Sequence, residues 1–275
     1  MKFGFVFPGG EARAAADLAY AAEQAGWDGF FVSEPVWGVD AWVSLAASAM
    51  RTGRIRLGTL ISPLSRMRPW DVAGRAAALD RLSGGRVILS AGLGAVDTGF
   101  AAFGEVADRK TRAELLDEAL DIITGLWRGQ PFSYDGKHYH VRPTTFYPPP
   151  PPVQQPRIPI WVVGAWPHEK SMRRALRYDG LIPRAVPPGE PARQASVDEL
   201  REIGAYIRQQ RTSGGAFDVA VEGETPGGDA SAAREVVRAW AEAGATWWNE
   251  TMWGTLDDPH GPEAILARVK QGPPR

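Results

Sequence analysis

Two carboxylates stand out as groups able to move a proton. Glu34 is the only ionisable side chain in the run FFVSEPVW, and Glu250 closes the run WWNE with Trp247, Trp248 and Trp253 around it. Burial among indole rings disfavours a charged carboxylate and raises its pKa, which suits a proton donor. The other reading of Glu250 is a structural pair with an arginine such as Arg13 or Arg66. Asn249 is placed to hydrogen-bond a substrate, and Trp37 and Trp253 offer flat apolar surface for stacking on a substrate or a ring. Gly92, Leu93 and Gly94 form a Gly-x-Gly run in which missing side chains let a backbone approach a planar group, or make a simple tight turn. Gly164 and Ala165 precede a helical pattern whose first free amides and macrodipole favour a phosphate. Lys170, Arg173 and Arg174 add positive charge there, and an ordinary strand-to-helix connection is the alternative. Arg68, in SRMRP, stays protonated at neutral pH, so it can position an anionic substrate or join a surface salt bridge but cannot act as a base. His138 and His140 fall on one strand face, with no third ligand nearby; His168 and His260 are isolated, and no metal is expected.

These groups need a frame. The chain has 275 residues, 44% of them hydrophobic and 23% charged, with a formal net charge of -1 and no cysteine. That composition buries enough apolar surface for one ordered core. It leaves no charge surplus for a nucleic-acid backbone or an anionic membrane, and it excludes disulfides, thiolate metal sites and cysteine nucleophiles. The amino-terminal apolar run is too short for a signal peptide or a span, so the cytoplasm is expected. Short β-rich runs alternate with helical patterns, the mark of a parallel sheet built from strand-helix units. Eight strands are expected at 3–7, 29–33, 55–61, 87–91, 160–163, 180–183, 218–221 and 246–249. The clearest helix runs from Asp108 to Trp127, with an apolar stripe of Leu115, Leu116, Ala119, Ile122, Ile123, Leu126 and Trp127. The fold expected is α/β, one (β/α)8 TIM barrel over residues 1–275, with an insertion at about 128–157 before strand five that contains five prolines from Pro148 to Pro152.

Four motifs resemble the bacterial luciferase-like monooxygenase superfamily in order and spacing. They are RIRLGTLISPLSRMRP, ALDRLSGGRVILSAGLGA, FSYDGKHYHV followed by PPPVQQPRIPIWVVGA, and AGATWWNETMWG. The resemblance implies a flavin-dependent oxidoreductase, a monooxygenase using reduced FMN on a small organic substrate, with a separate flavin reductase as one source of that FMN. Two alternatives are a coenzyme F420-dependent dehydrogenase or reductase and a non-catalytic flavin- or ligand-binding barrel. It also implies a cis peptide between Leu60 and Ile61 against the cofactor ring, a polar cofactor contact at Thr98, and a phosphate-binding loop at Gly164, Ala165 and Trp166. A homodimer through helices two and three is implied, with Trp42 and Trp70 in those segments. The sequence departs from its relatives where they carry an acid followed by histidine: here Pro35 follows Glu34, so the proton role is vacant or passes to Glu34. Arg68 replaces another frequent histidine.

Overall fold

The computed structural model describes residues 1–145, 147–212, 214–255, 258 and 260–275. Eight parallel strands carry the architecture: β1 (Lys2–Phe7), β2 (Gly29–Val32), β3 (Arg56–Thr59), β4 (Val87–Gly92), β5 (Ile160–Trp166), β6 (Gly180–Ala185), β7 (Asp218–Gly223) and β8 (Trp247–Glu250). Each pairs with the next, and β8 pairs back onto β1, with Lys2 opposite Trp247 and Phe5 opposite Glu250. The sheet is therefore closed, a (β/α)8 TIM barrel.

Helices follow the strands one for one: α1 (Ala12–Gln24), α2 (Ala41–Arg51), α3 (Pro69–Ser83), α4 (Arg109–Trp127), α5 (Glu169–Leu176), α6 (Val197–Gln210), α7 (Ala230–Glu242) and α8 (Gly261–Gln271). Local chemistry sets their ends. Asp40 and Asp108 cap α2 and α4 by accepting from the amides of Val43 and Thr111. Ser196 and Glu199 form a capping box on α6, and Gly84 closes α3 in the left-handed region. None of the helices among the described residues is long and apolar enough to cross a membrane.

Alternation along each strand divides the side chains into two cores. The outward set packs against the helices and forms the larger cluster. The inward set is small and holds Val6, Phe31, Leu60, Ile88, Trp161, Ile182, Ala220 and Trp247. Phe31, Trp161 and Trp247 plug the lower lumen, their ring centroids 5.2 to 5.9 Å apart. Large rings fit because neighbouring inward positions are empty: a Cβ on Gly180 would overlap the Trp161 indole, and one on Gly4 would overlap Phe31 and Asn249.

Buried polar groups tie the connections down. Glu23 accepts from the amides of Gly53, Arg54 and Ile55, fixing the entry to β3. Burial pushes this carboxyl up, but the three amides outweigh it and hold the pKa below the usual value. The insertion contains a two-stranded hairpin, Tyr134–Asp135 with His140–Val141. Glu118 on α4 receives the amides of Lys137, His138 and Tyr139, and Asp80 on α3 receives those of Val153 and Gln154.

The element boundaries differ from those expected at informative places. Strand three stops at Thr59, the Leu60–Ile61 bond is cis, and Ser62–Pro63 resumes pairing with β4. Strands five, six and seven run two or three residues further than 163, 183 and 221. Tertiary pairing extends a strand past the point where proline or charge weakens its local signal.

Candidate functional site

The carboxyl end of the barrel combines an apolar wall with a polar one. Leu60 and Ile61 bring the apolar side, with Val6 and Val163 beside them. Gly92 serves that wall indirectly. A Cβ there would overlap Ile61 Cδ1 and Val163 Cγ2, so the missing side chain is used by Ile61 leaning across β4. Gly94 has a positive φ of 79°, where a side chain would also strike Phe100 and Pro63. The carbonyl of Leu93 accepts from Ser65 Oγ and from Arg112 Nη1, both at 3.1 Å, and that of Gly94 accepts from Arg112 Nη1 at 3.0 Å. The Gly-x-Gly segment is thus a rigid rim. Thr98 lies beyond it in a 3₁₀ turn at 96–98, exposed, and donates to the Ala95 carbonyl at 2.6 Å.

Three polar side chains stand on the adjacent strands β6, β7 and β8. Arg184 lies two residues beyond Ile182, Glu222 two beyond Ala220 and Asn249 two beyond Trp247, so all three share the inward face. Glu222 and Asn249 are register partners. Glu222 is 7% exposed and accepts from Arg184 Nη2 at 2.8 Å. Asn249 is fully buried, and neither its Oδ1 nor its Nδ2 has a protein partner. Ser90 Oγ, inward on β4, is likewise unpartnered. Buried polar groups are normally satisfied, so the unpartnered inward groups of Asn249 and Ser90 call for an ordered water or a ligand as partner. Of these residues the sequence reading singled out only Asn249. The missed signal was a charge at inward parity in LIPRA and VAVEG.

Glu34 sits between α2 and the segment after β3. Its Oε1 accepts from Trp42 Nε1 at 2.9 Å and its Oε2 from Ser62 Oγ at 2.5 Å. Ser62 Oγ is 3.0 Å from Thr59 Oγ1, which donates to the Ser90 carbonyl. Burial pushes the Glu34 carboxyl above its ordinary value, against the opposing effect of these two donors and of Arg66 and Arg75. Each carboxylate oxygen therefore has a donor, from α2 and from the segment after the Leu60–Ile61 bond. Trp42, expected on a dimer face, is instead turned inward as one of its donors.

Glu250 is placed differently from its expectation as a catalytic group at the mouth. It alternates with Asn249 and faces outward, 1% exposed. Arg268 Nε on α8 donates to it at 3.1 Å, Trp248 Nε1 at 2.8 Å and the Thr225 amide at 2.8 Å. The alternative of a structural pair with arginine describes this geometry, with Arg268 in the place suggested for Arg13 or Arg66.

Gly164, Ala165 and Trp166 lie in a strand rather than at a helix amino terminus: they end β5 and pair with β6 as far as Trp166 opposite Ala185. The helix starts three residues later, at Glu169, after Pro167 breaks the strand. The Ala165 amide already donates to Ser171 Oγ at 3.0 Å. Lys170 and Arg173 are exposed, and Arg174 pairs with Asp117. Trp166 is half-buried with its ring 5.6 Å from that of Tyr206. At the mouth, Trp37 is 81% exposed and stacks on Phe103 with centroids 6.2 Å apart. Trp253 is 38% exposed in the turn after β8. Arg68 is exposed at the start of α3, its guanidinium 5.8 Å from the Trp70 ring, and forms no ion pair among the described residues. His138 and His140 contact Glu114 and Asp135 respectively. Among the described residues no group of three or more His, Asp or Glu side chains is placed to hold a metal.

The residues at this end suit a planar, polar-edged ring by their chemistry: Leu60, Ile61 and Val163 give an apolar wall, and Asn249 and Ser90 carry buried polar atoms without a protein partner. At the opposite end, a groove of about 700 Å³ is lined by Lys2, Phe3, Asp28, Arg234, Arg238 and Arg275. Two of its arginines are paired, Arg275 with Asp28 at 2.9 Å and Arg238 with Glu235 at 3.5 Å.

The family model described as luciferase-like monooxygenase matches residues 1–270. A putative coenzyme F420-dependent oxidoreductase of Mycobacterium tuberculosis is 38% identical over 130 residues, 46% of this chain and 36% of that protein. This chain spans about half or less of the curated relatives it matches. Among solved structures, the coenzyme F420-dependent tetrahydromethanopterin reductase of Methanopyrus kandleri superposes with a TM-score of 0.76 at 16% identity, covering 98% of both chains. The oxygenating constituent of 3,6-diketocamphane monooxygenase from Pseudomonas putida, in complex with FMN, gives 0.71 at 17% identity over 98% of this chain and 96% of that one.

Proposed function

The chain belongs to the luciferase-like monooxygenase family, and we propose that it is an oxidoreductase that binds the deazaflavin coenzyme F420 at the carboxyl end of the barrel. The observation that carries this reading is the two-sided lumen, with Leu60, Ile61 and Val163 facing the unpartnered Asn249. Deazaflavin is preferred to flavin because the Mycobacterium tuberculosis relative is named for coenzyme F420. When bound, the deazaflavin supplies a carbon that gives or takes hydride.

The chain's own residues bind, orient and exclude water. Leu60 and Ile61 support the ring, while Gly92, Leu93, Gly94 and Thr98 form the rim along one edge. Gly164, Ala165 and Trp166 border the cofactor tail as a strand end. Trp37 and Trp253 cover the mouth with apolar area, where excluding water strengthens every polar contact beneath them.

A second reading, monooxygenation with reduced FMN supplied by a reductase, is favoured by the family's own description. Anaerobic absorbance titration with F420 and with FMN separates the two. Saturable one-to-one binding of F420, with weaker or no binding of FMN, is expected; preference for FMN selects the second reading, and binding of neither removes both. We also propose pairing of two chains through α2 and α3, where Val43, Met50, Trp70 and Leu82 are exposed.

A further inference from the structure

We propose that the amino end of the barrel is a second binding site, and that its ligand is a compact oligophosphate held by Lys2, Arg54 and Arg234. This site does not depend on which cofactor the lumen takes at the other end.

Two grooves adjoin there. The first, of about 700 Å³, carries Lys2, Arg234, Arg238 and Arg275, and the second, of about 350 Å³, carries Lys2, Arg54, Arg56 and Arg275. Lys2, Asp28 and Arg275 line both, so the two are continuous. Together they hold six cationic side chains against three carboxylates, Glu23, Asp28 and Glu235. That is a formal surplus of three positive charges on a chain whose net charge is -1. The carboxylates are already committed. Glu23 accepts from the amides of Gly53, Arg54 and Ile55. Asp28 accepts from the Phe3 amide at 2.8 Å and pairs with Arg275, and Glu235 lies 3.5 Å from Arg238. Arg56 donates to the Gly85 carbonyl and to Gln154 Oε1. Lys2, Arg54 and Arg234 remain, all three exposed and none in an ion pair among the described residues.

The arrangement of these cations defines the ligand. They come from three separate elements: the first residue of β1, the turn before β3, and α7. Arg234 is tied to the chain beside the groove, its Nη1 donating to the Arg275 carbonyl at 3.4 Å, and Lys2 Nζ stands 5.2 Å from the Trp247 ring centroid. A planar carboxylate presents two oxygens in one plane and suits a single arginine fork, whereas a phosphate offers acceptor oxygens in several directions. One phosphate does not span two adjoining grooves or match a surplus of three charges. A chain of two or three phosphates does both. Phe3, Val237 and Pro274 add apolar lining to the larger groove, which suits an organic group carried on the phosphate chain. Its volume lies within the range of small-molecule sites, about 300–1,000 Å³.

The test is calorimetric titration of the purified full chain with tripolyphosphate, adenosine triphosphate, inorganic phosphate and citrate. Buffer is magnesium-free and ionic strength is fixed, so that general screening is the same for every probe. Tripolyphosphate and adenosine triphosphate should bind saturably, one to one, and inorganic phosphate and citrate at least about tenfold more weakly. Tighter binding of adenosine triphosphate than of tripolyphosphate supports the site with a nucleotide as its ligand, and equal binding supports it with an inorganic chain. Lys2→Met combined with Arg234→Met should weaken tripolyphosphate about tenfold, and Arg54→Met about threefold. Arg208→Met removes an exposed charge on α6 outside both grooves and should leave binding unchanged. If the double variant fails to fold, by circular dichroism, Arg54→Met and Arg234→Met as single variants carry the same test. No saturable heat with tripolyphosphate or adenosine triphosphate, binding of citrate or inorganic phosphate as tight as theirs, unchanged binding in the groove variants, or equal weakening by Arg208→Met each overturns the proposal.

Discussion

Replacing Glu250 by glutamine distinguishes a structural carboxylate from a catalytic one. Glu250 is 1% exposed and Arg268 is among the buried residues at 6%, so the substitution leaves a guanidinium in the interior without its counter-charge. Glutamine also has only one acceptor oxygen for the donors from Trp248, Arg268 and Thr225. Removing one partner of a buried pair costs about 3–5 kcal/mol. At roughly 2 °C per kcal/mol for a chain of this size, the melting temperature should fall by about 6–10 °C. Scanning calorimetry measures the loss, and Glu250→Gln combined with Arg268→Met should recover at least half of it, because the stranded charge is then gone. An unchanged melting temperature accompanied by lost turnover would refute the structural assignment and return Glu250 to the mechanism.

Other substitutions probe the lumen. Gly4→Ala places a methyl against Phe31 and Asn249 and should cost about 1–3 kcal/mol of stability by overpacking, read by urea denaturation. Asn249→Leu removes two unsatisfied buried polar atoms and should raise stability by about 1–3 kcal/mol, while the same variant binds the cofactor less well; a lower melting temperature contradicts the unpartnered state. The raised Glu34 pKa means the folded chain holds that proton more tightly than the unfolded one. Its stabilising contribution is complete below the ordinary glutamate pKa and is lost as pH rises through the folded value. Glu34→Gln should therefore gain in melting temperature relative to the parent as pH rises above the ordinary glutamate pKa, and turnover should fall by less than about tenfold, below the usual scale of general acid-base catalysis.

Strand-helix alternation was legible because each barrel strand carries its own apolar run, and it led directly to the closed eight-strand fold. The Leu60–Ile61 cis bond was legible only through resemblance, since no residue type there demands it. Expected strands six and seven end at Pro183 and Val221, one residue before Arg184 and Glu222, because proline and charge lower local strand propensity. That single residue hid the two side chains that complete the polar wall. Glu250 was ambiguous for a different reason: its partner Arg268 lies on α8, and a sequence does not announce which arginine a distant helix will deliver. The same applies to Gly164–Trp166, where pairing with β6 prolongs a strand that local signals end earlier.

A crystal structure of the protein with bound F420 tests the central claim most directly. The account predicts the ring in the lumen at the carboxyl end of the strands, one face on Leu60 and Ile61 and its polar edge toward Asn249. A ring bound in the groove lined by Lys2, Asp28, Arg234 and Arg275, or bound at the carboxyl end without contact to Leu60 and Ile61, would contradict it.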